Sequence, residues 1–241
     1  MQVNFPFLGY ELLNQSRFYS GGDEEEPFVG NLRTQPDDWY YRNVEITYDY
    51  NEYGHRCKNI ADINLDNYIL FTGCSHTEGI GLELEKTYCY QVANALNCDY
   101  YNLSIAGSGI DVMMHNLTAW YLTVEKKPKY LFVQWPDETR FVIVNNGCAD
   151  PHGFWKEDEN VSKFIYYSDA INFFNSRKEL ACNLIKLMTT DTKLVMINAL
   201  RQIPFDETPI RLDRIDFARD LSHPGIESHA ALVKDILNHV V

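Results

Sequence analysis

The chain has 241 residues, 45% of them hydrophobic and 14% aromatic, and a formal net charge of −13. This composition belongs to a folded chain with one sizeable core rather than to a disordered one. No Lys/Arg stripe offsets the acidic charge, which argues against a nucleic-acid partner and against an anionic membrane surface.

The N-terminal "MQVNFPFLGYELLNQ" lacks the basic start and long apolar centre of a signal peptide, and no run nears the ~20 apolar residues of a spanning helix. The expectation is therefore a cytoplasmic protein. Residues 1–66 are irregular and read as an arm of short strands and loops laid on a main domain, 67–241. Within the arm, "GGDEEEP" (21–27) reads as a solvated acidic loop. "NVEITYDYNEYGHRC" (43–57) alternates like a strand and then turns between Asn51 and Gly54.

From residue 67 strands and helices alternate. Strands are expected at 68–73, 99–105, 129–135 and 193–200. Helices are expected at 84–97, 109–124, 168–190 (capped by Ser168 or Asp169) and 223–240. Short apolar strands alternating with helices imply a parallel sheet covered on both faces, with ligands at the carboxyl ends of the strands. Residues 145–166, with His152, read as a surface insertion of the kind that forms a lid or substrate wall. The six cysteines (57, 74, 89, 98, 148 and 182) are scattered without a CxxC pair, the pattern of free thiols in a reducing compartment rather than of a disulfide framework or zinc site.

Two stretches carry chemistry. "ILFTGCSHTEG" (69–79) places Ser75 on a glycine-punctuated turn directly after a buried strand. A serine there has its own N–H available to an oxyanion, and it needs a base to become a nucleophile. The α/β-hydrolase elbow G-x-S-x-G is absent, because Thr77 stands where its second glycine would be. In "FARDLSHPGIESH" (217–229), Asp220 and His223 are three positions apart, so a single turn can hold the imidazole Nδ1–H on the carboxylate. The structural alternative is that Ser75, and Asp220 or Ser222, merely cap a turn or helix.

Gly73-Cys74-Ser75, the glycine turn "NLSIAGSGID" (102–111) and the C-terminal Asp-x-x-His resemble the SGNH hydrolases, also called the GDSL esterase/lipase family, over about residues 67–240. The resemblance implies a flavodoxin-like three-layer α/β/α sandwich with a five-stranded parallel sheet. It implies Ser75 as nucleophile, His223 as general base and Asp220 as its orienting partner, with no metal or organic cofactor. The oxyanion donors would be the N–H groups of Ser75 and Gly107, with Gly109 as the alternative. The chain departs from the family after the third strand: "VQWPDETR" (133–140) has no asparagine where a side-chain oxyanion donor belongs. Gln134, Trp135 and Arg140, with His76 beside the serine, are the candidate substrate contacts. Cys74 stands where the family often has Asp and is a minor alternative nucleophile. His55 and Arg56 belong to a strand-and-turn resembling one in SGNH-like proteins of bacteria and phages, read here as the element that docks the arm.

Two functions follow from different classes. One is a serine esterase acting on a small-molecule or glycan ester, such as an O-acetyl group on a carbohydrate. The other is a non-catalytic SGNH-like protein that binds glycans or serves in a virion or assembly. The ordered set of Ser75, Asp220 and His223 favours the first, and the absent asparagine and large arm favour the second. A nucleotide-binding flavodoxin-like protein is set aside, since neither G-x-G-x-x-G nor a P-loop lysine is present.

Overall fold

A computed structural model describes residues 7–9, 13–145, 148–153, 163, 170–198 and 210–240. In chain order its elements are β1 (Ser16–Arg17), α1 (Glu25–Thr34), β2 (Tyr48–Asp49), β3 (Tyr68–Thr72), α2 (Ser75–Glu78), α3 (Tyr88–Ala95), β4 (Asp99–Asn102), α4 (Ile110–Thr123), β5 (Tyr130–Gln134), β6 (Phe141–Asn145), β7 (Cys148–His152), α5 (Ala170–Met188), β8 (Lys193–Asn198), β9 (Ile210–Arg211) and α6 (Ile226–Val240).

The apolar runs meet in one sheet of order β4-β3-β5-β8-β9, every neighbouring pair parallel. Counted within the sheet this is the 2-1-3-4-5 order of flavodoxin-like folds, whose switch point lies between the first and third strands. Successive side chains of a strand point to opposite faces, and β3 feeds both layers. Tyr68 and Leu70 pack with Ile110, Leu117 and Trp120 of α4 and Ile185 of α5. Ile69 and Phe71 pack with Tyr88 and Val92 of α3 and with Leu232 and Ile236 of α6. The result is the expected three-layer sandwich.

The arm packs through a third cluster, in which Tyr41, Ile46, Tyr48 and Tyr50 meet Ile80, Leu82, Ala106 and Ala218. Between 43 and 57 only Tyr48–Asp49 pairs as a strand, antiparallel to β1. The chain is then diverted by Asn51, whose Oδ1 accepts the N–H groups of Tyr53 and His55. Arg56 is fully buried there. Its guanidinium donates to the carbonyls of Thr47, Gly79 and Leu82 and lies 4.3 Å from the centroid of the Tyr48 ring.

The strand expected at 99–105 ends at Asn102, and three further differences from expectation have local reasons. The helix expected at 84–97 opens as a 3-10 turn, Leu84–Lys86, and becomes α-helical only after Thr87, whose side chain caps Tyr90 N. The last helix starts at Ile226 rather than 223, because Asp216 accepts the N–H groups of Glu227 and Ser228. The sheet gains β9, a two-residue strand with too little pattern to see beforehand. Ser168, Asp169 and most of the insertion at 145–166 lie outside the described residues; Cys148–His152 of it pairs with Phe141–Asn145 as a hairpin. Cys57, Cys74, Cys89, Cys98 and Cys182 are free thiols. Among the described residues, no helix is long and apolar enough to cross a membrane.

Candidate active site

β3 delivers the chain to Gly73, where a Cβ would lie 2.2 Å from Thr77 Oγ1 and 3.0 Å from the Gln134 carbonyl. Only glycine lets the backbone pass so close. Cys74 O then accepts the N–H groups of Thr77 and Glu78, and Ser75 opens the single turn α2, which Gly79 ends at φ +82°. Two buried side chains fix this turn from below. Thr77 Oγ1 accepts from Tyr88 OH at 2.9 Å and donates to Gln134 Oε1 at 2.8 Å. Glu78 accepts from Tyr50 OH at 2.9 Å and from Ala106 N at 2.6 Å. One carboxylate thus ties the serine turn to the glycine turn after β4, in which Gly107 has φ +75°.

The second half of the site lies between β9 and α6. Asp220 Oδ1 accepts the N–H groups of Ser222 and His223, each at 3.0 Å, and His223 Nδ1 donates to Asp220 Oδ2 at 2.5 Å. Closing this turn requires Leu221 at φ +53°, a left-handed conformation uncommon outside glycine. The Asp220 side chain is buried, whereas His223 keeps part of its surface open. Burial raises the Asp220 carboxyl pKa, but the hydrogen bond and charge of His223 and the two backbone N–H groups outweigh it, leaving the pKa below its ordinary value. Asp220 is therefore an ionised acceptor that holds Nδ1 protonated and leaves Nε2 for the proton of a nucleophile.

Ser75, His76, Gly107, Arg140 and His223 line one cleft of about 580 Å3. The rings of His76 and His223 meet edge to face, with centroids 5.6 Å apart. Burial, then the charges of His223 and Arg140, push the His76 pKa well below the usual imidazole range, so it is neutral at pH 7.

The structure brings five of the sequence-derived candidates together, with Asp220 directly behind His223. Three others stand elsewhere, and the expectations for them are corrected. Gln134 is fully buried, its Oε1 engaged by Thr77 and its Nε2 donating to the Trp135 carbonyl, because the end of β5 turns inward under the Ser75 turn. Trp135 is fully buried in the core beside Leu131 and Val133. Gly109 is the N-terminal cap of α4, packed so tightly that a Cβ would meet the Arg140 carbonyl at 2.6 Å. Cys74, also buried, directs its thiol to Gln134 Oε1 at 3.5 Å.

Sequence reasoning missed the arm's share of the cleft, which Gly21, Gly22 and Glu24 also line. A Cβ on Gly22 would stand 3.5 Å from His223 Cε1. The available signal was the Gly-Gly pair, hidden in a run that its acidic neighbours made look like a solvated loop. Pro151, of the β6–β7 hairpin, lines the cleft as well, whereas His152 stacks on Phe141.

No family profile and no curated protein matches the chain. Among solved structures it is similar to a carbohydrate esterase family 2 enzyme of Corynascus thermopiles (Myceliophthora fergusii), at 16% identity over 72% of this chain and 65% of that one, with a TM-score of 0.47. It is similar to the acetyl xylan esterase Est2A of the rumen bacterium Butyrivibrio proteoclasticus, at 13% identity over 72% and 63% of the two chains, with a TM-score of 0.49. A member of the lipolytic G-D-S-L family from Veillonella parvula matches at 12% identity over 72% and 97%, with a TM-score of 0.45. The match spans about two thirds of the length of the two carbohydrate esterases.

Proposed function

We propose that the chain is a serine ester hydrolase whose nucleophile is Ser75. The observation that carries this reading is the buried Asp220 holding Nδ1 of a His223 that shares a cleft with Ser75. His223 Nε2 takes the Ser75 hydroxyl proton as Oγ attacks the ester carbonyl. Asp220 keeps the imidazole in the needed tautomer and stabilises the imidazolium. The N–H groups of Ser75 and Gly107 receive the oxyanion. His223 then protonates the leaving alkoxide, and a water activated by the same nitrogen releases the acid from Ser75. No metal or organic cofactor enters these steps.

An O-acetyl group on a carbohydrate is the substrate class we assign. The glycines at 21 and 22 and Ala106 leave room beside the catalytic groups for a short acyl chain, and Glu24 and Arg140 offer polar partners for hydroxyls. Fluorophosphonate labelling and p-nitrophenyl acetate hydrolysis test the reading. Ser75→Ala should abolish labelling and lower kcat by ~10⁴-fold or more. A folded wild type that neither labels nor turns over would overturn the reading. One observation favours the non-catalytic, glycan-binding alternative: the inward-turned Gln134 supplies no third oxyanion donor in place of the absent asparagine. Loss of one such donor costs ~10²–10³ in rate, so a slow enzyme is the expected outcome.

A further inference from the structure

The geometry points to Asp23, in the N-terminal arm, as a positioning residue for the catalytic base. This rests on the assignment of His223 above and goes beyond it by making the arm part of the catalytic centre. Asp23 is 0% exposed and its partner Arg219, immediately before Asp220, only 3%. Arg219 Nε lies 3.1 Å from both Asp23 oxygens, and Nη2 lies 2.6 Å from Oδ2. This is a multidentate fork, the arrangement in which a guanidinium gives both energy and direction. The pair is locked on every side. Tyr48 OH donates to Asp23 Oδ2 at 2.6 Å, Arg219 Nη2 also donates to the Phe18 carbonyl, and Arg219 N donates to the Gly81 carbonyl.

Residues 20–23 of the arm form the turn next to the base. Ser20 and Asp23 exchange backbone hydrogen bonds at 3.0 and 3.1 Å, closing a turn whose tip is Gly21, at φ +62°, and Gly22. Gly22 is the residue whose added Cβ would be 3.5 Å from His223 Cε1. One end of the turn, Asp23, therefore grips Arg219, and its tip, at Gly22, faces the imidazole that the next residue, Asp220, orients. The Asp220–His223 turn carries Leu221 in a left-handed conformation, so it depends on anchors of this kind to stay in place. A solvated acidic loop needs no such fork, and a fork serving only to dock the arm need not adjoin the catalytic carboxylate.

The test uses the full chain and reads two things. In a Ser75→Ala background, where catalysis plays no part, Asp23→Asn should speed amide hydrogen exchange at residues 217–225 by about tenfold or more while β3 and β5 stay protected. In the Ser75 protein, Asp23→Asn should lower kcat on p-nitrophenyl acetate by about 10- to 100-fold with KM within about twofold, the signature of a displaced catalytic group. Arg219→Lys, which keeps the buried charge and loses the fork, should show the same pattern more weakly and serves if Asp23→Asn fails to fold. Unchanged exchange at 217–225, an equal rise across the sheet, or unchanged kcat despite local loosening would each overturn the inference. If the wild type hydrolyses no ester, the proposed function fails while the exchange measurement still decides whether Asp23 holds the turn.

Discussion

The central strand β3 and the arm junction both bury the residues that make their contacts, yet they are held by different physics. Around β3 and β5 the contacts are Ile69, Phe71, Phe132 and their helix partners, non-directional and tolerant of small shifts. Where the arm meets the core, the buried groups include Asp23, Arg56, Glu78 and Arg219, each held by specific hydrogen bonds. Apolar burial fixes that two surfaces meet; the polar contacts fix how they meet. The cleft sits where the two regimes join, with Ser75 carried by the sheet and the wall beside His223 carried by the arm.

Three experiments separate the regimes. Phe71→Ala, opening a cavity between the stacked Phe132 ring and Tyr88, should cost about 3–5 kcal/mol of unfolding free energy in urea titration. No second substitution in the layer should restore it fully. The junction should behave oppositely. Asp23→Leu strands a buried guanidinium and should cost about 3 kcal/mol or more, while the double variant Asp23→Leu/Arg219→Met should recover most of that loss. Additive losses in that cycle would show that the pair is not a coupled unit.

The most gradual expected effect, spread over several pH units, concerns two buried histidines. Burial lowers the His55 pKa to about 4, and its Nδ1 sits 2.9 Å from Tyr101 OH. Burial likewise lowers that of His229 to about 3, where Nδ1 accepts from Tyr88 N. Both are neutral when folded and take up protons near pH 6.5 when unfolded. Stability should therefore be fully present above about pH 6.5 and be lost as pH falls, towards about 4 for His55 and about 3 for His229. Each contributes a slope of up to about 1.4 kcal/mol per pH unit. His55→Gln should flatten the curve between pH 6.5 and 4 by up to that amount, and an unchanged curve would show that His55 is not buried neutral.

The strands and helices of the sheet were legible because burial on both faces writes continuous apolar runs such as "YILFT" and "YLFVQ" into the sequence. Asp220 and His223 were legible as a pair because their spacing in one turn is local, and Ser75 because it follows a buried strand on a glycine turn; the family resemblance joined the two. The arm was not, because its determinants are not local. Nothing near Asp23 announces an arginine 196 residues away, and a carboxylate beside three glutamates looks solvated until its partner is known. Gln134 failed for a related reason: an amide at the end of a strand has two directions to turn, and only Thr77, across the turn, decides between them. Short β9 left too few residues to reveal a period.

That 196-residue separation also has a consequence in time. On a ribosome adding about 5–20 residues per second, Asp23 emerges roughly 10–40 s before Arg219. β3, the Ser75 turn and β4 are all made in the interval, and they can pair while the arm's carboxylate still faces water. The guanidinium that pairs with Asp23 arrives one residue ahead of Asp220, the carboxylate that holds His223 Nδ1. The Asp23–Arg219 fork and the Asp220–His223 turn are thereby set to form together, after the apolar contacts of the arm with Ile80, Leu82 and Ala106 are available. A chain released before Arg219 carries Ser75 but neither Asp220 nor His223, and its Asp23 has no guanidinium to pair with.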